Sequence, residues 1–172
     1  MKVISNAGPL IALGKLGRLD LLLKLYDEII APRQVYDEVV VVGLRLGAPE
    51  APMIDRLIRQ GHIAVVSVHL PFPLPAWAST LDPGEIEVVV LAQQQKPNWV
   101  LIDNAHARRA ARQVGLPLKG TVGLLLEAFR QQHLTLQEFE FLIQEIQTRP
   151  ELWISDQLCQ AALQVARQQS AI

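Results

Sequence analysis

The sequence contains a single cysteine, Cys159, so a disulfide within these 172 residues is excluded. Its four histidines are scattered along the chain without the spacing of metal ligands, which argues against a zinc site. No apolar run approaches the roughly 18 residues of a membrane-spanning helix. The N-terminal segment also lacks the long apolar region of a signal peptide. We therefore expect a cytoplasmic protein that contacts no membrane.

Net charge is nearly absent as well. Sixteen Lys and Arg residues face 17 Asp and Glu residues, for a formal net charge of −1. No overall field therefore points to a nucleic acid or a membrane, and any such contact must be a local patch. Half of the residues are hydrophobic, which is typical of a folded globular chain. The length suits one domain with one sizeable core, and we predict a single domain over residues 1–172.

Strand-like segments alternate with helical patterns through most of the chain, which indicates βαβ units and a parallel sheet covered on both faces. The predicted strands span residues 2–5, 28–31, 63–68, 99–102 and 116–119. The segment 34–42 is predicted to be one helix, because its valines recur at helical spacing. Two further helices, over residues 136–147 and 155–168, predict an all-helical C-terminal extension from 134 to 172.

Polar side chains follow the predicted strands at the end of the sheet where open parallel sheets bind ligands. Asn6 follows the first strand, and Asp103 and Asn104 follow the fourth. Glu38 and Glu85 lie in early turns of two predicted helices and can converge on the same place. Carboxylate and amide oxygens drawn from separate segments suit Mg²⁺ or Mn²⁺. Such a site activates water and neutralises phosphate charge.

Most of these residues also have a structural interpretation. Asp82 and Glu85 have the spacing of a capping box at a helix N-terminus. Glu38 can belong to a solvated helix face, and Asn6 can cap the helix that follows it. Asp103 has few structural roles beyond capping, because it comes directly after a buried strand.

Basic residues cluster after Asp103. Arg108, Arg109 and Arg112 lie in the predicted helix 105–114. Arginine suits bidentate contact with phosphate, although a solvated basic face fits the pattern equally well. Thr121 is predicted to cap the next helix. No nucleophile elbow, phosphate-binding glycine loop or Ser-His-Asp order is present.

Four segments in a fixed order resemble the PIN-domain family, specifically a VapC-like branch of prokaryotic toxin–antitoxin nucleases. They read VISNAGPLIALGKLGRLDLL, APRQVYDEVV, LDPGEIEVVVLA and VLIDNAHARRAARQVGLPLKGTVGLLLEA, and LWISDQL near the end is similar to the same branch. The resemblance covers nearly the whole chain. It implies a three-layer α/β/α fold, metal-dependent cleavage of RNA, a homodimer and an inhibitory antitoxin partner.

Carried over residue by residue, the resemblance implies a metal site of Asn6, Glu38, Glu85 and Asp103, with Asn104 where a second acid often occurs. Asn6 and Asn104 stand where PIN nucleases commonly have aspartate. An amide oxygen can still bind Mg²⁺, but it attracts the ion less and cannot act as a base.

The leading hypothesis is a Mg²⁺- or Mn²⁺-dependent endoribonuclease. Its predicted catalytic residues are Glu38, Glu85 and Asp103. Its predicted RNA contacts are Arg108, Arg109, Arg112 and Thr121. The first alternative is a PIN domain that binds RNA or a protein without cutting, and the second is a metal hydrolase that acts on small phosphoesters.

Overall fold

Five short strands form a wholly parallel sheet in the computed structural model of the chain, which describes residues 1–170. In chain order the strands are β1 (Lys2–Ser5), β2 (Glu28–Pro32), β3 (Ala64–Val66), β4 (Trp99–Leu101) and β5 (Leu118–Lys119). Their spatial order is β3-β2-β1-β4-β5. Helices flank the sheet, so the predicted α/β fold with about five parallel strands is confirmed.

The central strand β1 pairs with β2 on one side and with β4 on the other. Val3 and Ile4 are fully buried within it, as expected for a parallel sheet covered on both faces. The chain moves from β1 toward β2 and β3 and later returns to the opposite side of β1. This reversal opens a crevice at the carboxyl ends of β1 and β4.

The α-helices occupy most of the remaining chain. Their bounds are α1 (Ala7–Lys15), α2 (Asp20–Leu25), α3 (Arg33–Tyr36), α4 (Gly43–Leu46), α5 (Ala51–Arg59), α6 (Pro83–Gln95), α7 (Ala105–Gln113), α8 (Thr121–Arg130), α9 (Leu136–Gln147) and α10 (Asp156–Ser170). A π-helical segment (Asp37–Val42) joins α3 to α4, and 3₁₀ turns span Ala76–Thr80 and Pro150–Leu152.

The helices form a layer on each face of the sheet. Parallel crossovers are right-handed, so the change of direction after β3 puts α6 and α7 on the face opposite α1, α2 and α5. Helix α8 contacts α1 and α2, and α9 and α10 contact α8. The predicted helical extension therefore completes one layer. Its buried side chains, including Phe139 and Cys159, belong to the same hydrophobic core as the sheet.

The strand predictions are confirmed, with bounds that differ by one residue in β2 and β4 and that are clearly shorter in the two edge strands. The edge strand β3 covers only Ala64–Val66 of the predicted 63–68, and β5 covers only Leu118–Lys119 of the predicted 116–119. An edge strand has a neighbour on one side only, so fewer of its residues are held in the ladder. The last predicted helix runs from Asp156 to Ser170, and residues 171 and 172 of the predicted extension lie outside the described residues.

The predicted helix over 34–42 is confirmed as helical, but it is not one regular α-helix. The α-helix stops at Tyr36 and continues as a π-helix over Asp37–Val42. Val39 and Val40 are both buried in this segment. Among residues 1–170, no helix combines the length and the apolar character needed to cross a membrane.

Candidate active site

The carboxyl ends of β1 and β4 border a cleft of about 570 Å³. The two strands remain in register up to its edge, because the Asn6 backbone N–H donates to the Leu101 carbonyl at 2.9 Å. All five residues predicted for the metal site line this cleft: Asn6, Glu38, Glu85, Asp103 and Asn104. Four separate segments of the chain therefore meet there.

Asn6 occupies the N-cap position of α1, but its side chain makes no capping hydrogen bond. The residue is nevertheless buried, with 6% of its surface exposed. An N-cap asparagine normally accepts from an N–H of the first turn. The structure thus does not use the Asn6 amide as a cap, and the amide lines the cleft instead.

Asp103 accepts two hydrogen bonds from Thr121, the first residue of α8. The Thr121 backbone N–H donates to Asp103 Oδ1 at 2.7 Å, and its hydroxyl donates to Oδ2 at 2.6 Å. Burial raises the pKa of Asp103, while the two hydrogen bonds and the charge of Arg108 oppose that rise. These bonds set the orientation of the carboxylate at the end of β4.

Two predictions for Thr121 need correction. The N-cap of α8 is Gly120, and the Thr121 hydroxyl points to Asp103 rather than to its own helix. The residue is also fully buried, with 0% exposure, so it cannot contact RNA directly. In this structure both of its donors bind the Asp103 carboxylate.

Glu38 reaches the cleft from the first turn of the π-helical segment. This segment passes close to α6, where a Cβ on Gly84 would lie in van der Waals contact, 3.6 Å from Glu38 Oε2. Although Glu38 remains exposed, its surroundings raise its pKa through desolvation and through the charges of Asp82 and Glu85. Glu38 is therefore part of an acidic group and not an isolated surface charge.

Glu85 has both of the roles that the sequence left open. It completes the predicted capping box, since its N–H donates to Asp82 Oδ1 at 2.8 Å and its Oε2 accepts from the Asp82 N–H at 3.2 Å. It also lines the cleft, with only 5% of its surface exposed. Burial and the Asp82 charge raise the pKa of Glu85, partly opposed by the capping bond and by His106.

The acidic residues thus form two neighbouring groups, with Glu38, Asp82 and Glu85 in one and Asp103 beside Asn6 in the other. The donor set is all oxygen, which suits a hard divalent cation, and a cation would offset the desolvation and the repulsion that raise the pKa values of Glu38 and Glu85. Within residues 1–170, however, no three His, Cys, Asp or Glu side chains lie at metal-binding separations as they stand. A bound ion would therefore draw on rotated side chains, on Asn6 or on water.

Asn104 serves as the N-cap of α7. Its Oδ1 accepts from the backbone N–H groups of His106 at 2.8 Å and Ala107 at 3.2 Å. This oxygen is committed to the helix in the described arrangement. A part for Asn104 in binding a metal stays a prediction.

A basic groove of about 540 Å³ adjoins the cleft. Its walls include the three arginines of α7, and it shares Asp103 and Ala105 with the cleft. Arg108 folds back over the site, since its Nη1 donates to the Ile102 carbonyl at 2.6 Å. Burial and the nearby charge of Arg112 lower the pKa of Arg108, while Asp103 opposes this effect. Arg109 and Arg112 are exposed and can reach a ligand.

Several residues that line the cleft are absent from the sequence prediction. Asp82 belonged to the predicted capping box but not to the predicted site, and His106 follows Asn104 in α7. Glu151, Leu152 and Trp153 come from the turn between α9 and α10 and close one side of the cleft. Only the chain fold brings that turn to the sheet, because the LWISDQL segment indicated the family and not a place in the site.

A family model described as a PIN domain matches residues 2–168. The chain belongs to the PIN-domain family. Members of this family are generally nucleases and typically use divalent metals, which agrees with an oxygen-rich cleft at the carboxyl ends of β1 and β4. Comparison with the curated proteins and with the solved structures gives no significant match.

Proposed function

We propose that this PIN domain is a Mg²⁺- or Mn²⁺-dependent endoribonuclease that hydrolyses RNA phosphodiester bonds as the toxin of a type II toxin–antitoxin pair. The observation that carries the proposal is the convergence of Glu38, Glu85 and Asp103, with Asn6, on one cleft. Desolvation, with added repulsion from neighbouring acids at Glu38 and Glu85, raises the pKa values of the three carboxyls, so their charged forms cost stability unless a cation offsets that cost.

The proposed metal ligands are Glu38, Glu85, Asp103 and Asn6. A divalent ion bound by such oxygens supplies Lewis acidity and neutralises the charge of a phosphate group. Glycines leave space beside two of these carboxylates. A Cβ on Gly8 would lie 3.6 Å from Asp103 Oδ2, just as a Cβ on Gly84 would approach Glu38.

The remaining site residues have roles in binding and orientation. Thr121 holds the Asp103 carboxylate in one orientation through two hydrogen bonds. Arg109 and Arg112 supply positive charge along the groove that adjoins Asp103, where they would bind the phosphates that flank the scissile bond. Arg108 would contribute mainly through its charge next to Asp103, since its guanidinium already donates to Ile102.

The direct test is Asp103→Asn. Asparagine keeps an oxygen that can accept from the Thr121 N–H, so the fold is expected to survive while the negative charge is lost. We expect Mg²⁺- or Mn²⁺-dependent cleavage of RNA to disappear with an unchanged circular dichroism spectrum. Asp37→Asn is the matched control, because Asp37 pairs with Arg33 outside the cleft. An Asp103→Asn variant that cleaves RNA at the normal rate would reject this centre.

A second candidate function is a PIN domain that binds RNA or a protein without cutting. It is favoured by the amides at Asn6 and Asn104 and by the cap that Asn104 makes. Asn6→Asp tests it by adding a carboxylate at the end of β1. Restored or increased Mn²⁺ affinity in calorimetry supports the nuclease site, whereas no Mn²⁺ binding by either form supports the non-cleaving module. Turnover of a chromogenic phosphoester with RNA left intact would instead indicate a small-phosphoester hydrolase.

We also propose a cytoplasmic homodimer that an antitoxin inhibits. Exposed apolar side chains that suit a protein contact occur on the π-helical segment, α4 and α5: Val41, Leu44, Leu46 and Met53. A small reading frame beside this one would identify the candidate antitoxin. Coexpression of its product should suppress growth arrest by the wild-type chain and form a complex that survives size-exclusion chromatography.

A further inference from the structure

Trp153 is a large aromatic side chain at the edge of the acidic cleft, and it is 90% exposed. Single exposed apolar side chains are common on protein surfaces, so what distinguishes Trp153 is its place beside the acidic cleft. Its neighbour Leu152 is buried, so the turn is anchored to the protein while the indole faces outward. The exposed ring therefore lines the cleft from an anchored turn.

The backbone holds Trp153 in a conformation that tryptophan seldom adopts. Its φ of 53° and ψ of 31° are left-handed, and glycine would take them without steric cost. The Trp153 N–H donates to the Pro150 carbonyl at 3.1 Å, which closes the turn. Glu151 pairs with Lys15 at 3.7 Å and ties the turn to α1, the helix that starts beside Asn6. An aromatic residue kept in such a position points to a role for the ring itself.

The arginine groove and the Trp153 ring both adjoin the acidic cleft. The arginine groove and the acidic cleft share Asp103 and Ala105, and Trp153 lines the same cleft. A positively charged groove and an exposed aromatic ring on one binding surface form the combination that binds single-stranded nucleic acid, since the groove follows the phosphates and the ring stacks on a base.

We infer that Trp153 is a stacking platform for an unpaired nucleobase of the RNA that occupies the cleft. The inference rests on the proposed function, because it assigns the neighbouring cleft to an RNA backbone. The stacking contact requires an unpaired base. A base within a duplex has both faces covered by its neighbours, so only a single-stranded segment can place a base on the Trp153 ring.

The first experiment measures binding of a ten-nucleotide RNA without self-complementarity and of the same sequence as a duplex. The Asp103→Asn background prevents cleavage during the titration. We expect Trp153→Leu to weaken single-strand binding by roughly 5- to 150-fold, the range found for loss of one stacked base. Trp153→Phe should keep most of the affinity. Phe72→Leu, which removes a fully exposed aromatic ring outside the cleft, should change nothing.

The second experiment replaces one base at a time in the ten-nucleotide RNA with an abasic sugar. At one position, the abasic sugar should weaken binding to the protein that carries Trp153. It should not weaken binding to Trp153→Leu, because that variant has already lost the stacking contact with this base. Trp153→Gly separates stacking from folding. It should bind as poorly as Trp153→Leu while its melting temperature stays the same or rises, since glycine suits the left-handed backbone.

Each result has one meaning. If the protein with Trp153 and the Trp153→Leu variant bind single-stranded RNA equally, the stacking role is wrong while RNA binding stands. The same holds if every abasic position lowers the affinity of both forms by the same factor. If Trp153→Leu instead changes the oligomeric state and leaves RNA affinity unchanged, the ring is a protein contact and the inference is overturned. If the Trp153 protein binds no RNA at all, the proposed function fails and the inference fails with it.

Discussion

Thr121 donates two hydrogen bonds to Asp103, one from its backbone N–H at 2.7 Å and one from its hydroxyl at 2.6 Å. The two residues are 18 positions apart, and the pair joins the end of β4 to the start of α8. The Asp103 carboxylate, which follows β4, is therefore oriented by the buried Thr121 of α8. This arrangement makes the site sensitive to changes that never touch a ligand.

Thr121→Val should disturb the orientation of the Asp103 carboxylate while the fold is retained. Valine has a similar shape and retains the backbone N–H bond, but it leaves Asp103 Oδ2 without its hydroxyl donor. We expect the free energy of unfolding to fall by about 1.5–3 kcal/mol, the usual contribution of a hydrogen bond to a charged group. Cleavage should fall by about 10- to 100-fold through loss of orientation.

Urea unfolding and single-turnover cleavage measure these two effects of Thr121→Val. Thr121→Ser keeps the hydroxyl and should remain close to wild type in cleavage. Equal activity of the valine and serine variants would show that the hydroxyl bond does not position Asp103.

Glu85→Gln tests the charge of Glu85 apart from its capping bond. Glutamine still offers an oxygen to the Asp82 N–H, so α6 should keep its N-terminus. Loss of the carboxylate should lower Mn²⁺ affinity by at least about 10-fold, as loss of a metal-site partner does. Calorimetry with Mn²⁺ measures the change.

The chain contains a matched control for Glu85→Gln. Glu138 occupies the same position in a second capping box, formed with Thr135 at the start of α9, and it lies outside the cleft. Glu138→Gln should therefore leave Mn²⁺ affinity as it is. A similar loss of affinity in both variants would mean that Glu85 acts only through the helix cap.

Gly120→Ala should damage the site through a steric contact. A Cβ at this position would lie 2.8 Å from Asp103 Oδ1 and 3.4 Å from Arg108 Nη1, so the carboxylate must move. The backbone at Gly120 is extended, which alanine adopts freely, so the effect does not come from strain. We expect a loss of about 1–3 kcal/mol in unfolding free energy and a larger proportional loss of cleavage.

Gly123→Ala is the control for Gly120→Ala, three residues further along the chain in α8. Its Cβ would approach only the Lys119 Cγ, which belongs to a flexible side chain, at 3.3 Å. Alanine within a helix is favoured over glycine by about 0.5–1 kcal/mol, so stability should hold or rise and cleavage should persist. Thermal melts and a cleavage assay on both variants make the comparison, and an inactive Gly123→Ala would contradict it.

The metal-free protein should lose stability as pH rises above the acidic range. Desolvation, with added repulsion from neighbouring acids at Glu38 and Glu85, raises the pKa values of Glu38, Glu85 and Asp103. Between about pH 4 and these raised values the folded protein binds more protons than the unfolded chain. The stability that these groups contribute is thus present below about pH 4 and is lost as pH rises through the folded pKa values.

Mn²⁺ should reverse this loss, because it binds the ionised carboxylates of the folded state. We expect the increase in melting temperature on replacing a chelator with Mn²⁺ to be larger near about pH 7.5 than near about pH 5.5. Glu85→Gln should reduce that difference. An increase that is the same at both pH values would show that these carboxylates do not bind the ion.

The order of elements and most of the candidate residues follow from the sequence alone. Apolar β-branched runs between helical patterns predict a parallel sheet, since a strand covered on both faces must be apolar throughout. Asn6 and Asp103 could be placed at the carboxyl end of the sheet because each directly follows a predicted strand. Both features are local, and local patterns survive in any tertiary arrangement.

Other parts of the site depend on contacts that short stretches of sequence do not record. The π-helical turn that carries Glu38 departs from the regular spacing that the valines predict. Thr121 has the residue type and position of a helix cap in the sequence, yet its hydroxyl donates to Asp103 from a buried position. In both cases the packing of neighbouring elements overrides the local preference of the segment.

The sequence by itself determined the strands, the helices and the acids that follow or begin them, because these depend on residue type and spacing over short stretches. The tertiary structure decided which of those side chains meet. It brought Trp153, in the turn before the last helix, to the same cleft as Asn6, which follows the first strand. Contacts between such distant segments depend on the packing of whole layers, and no local pattern of residues records them.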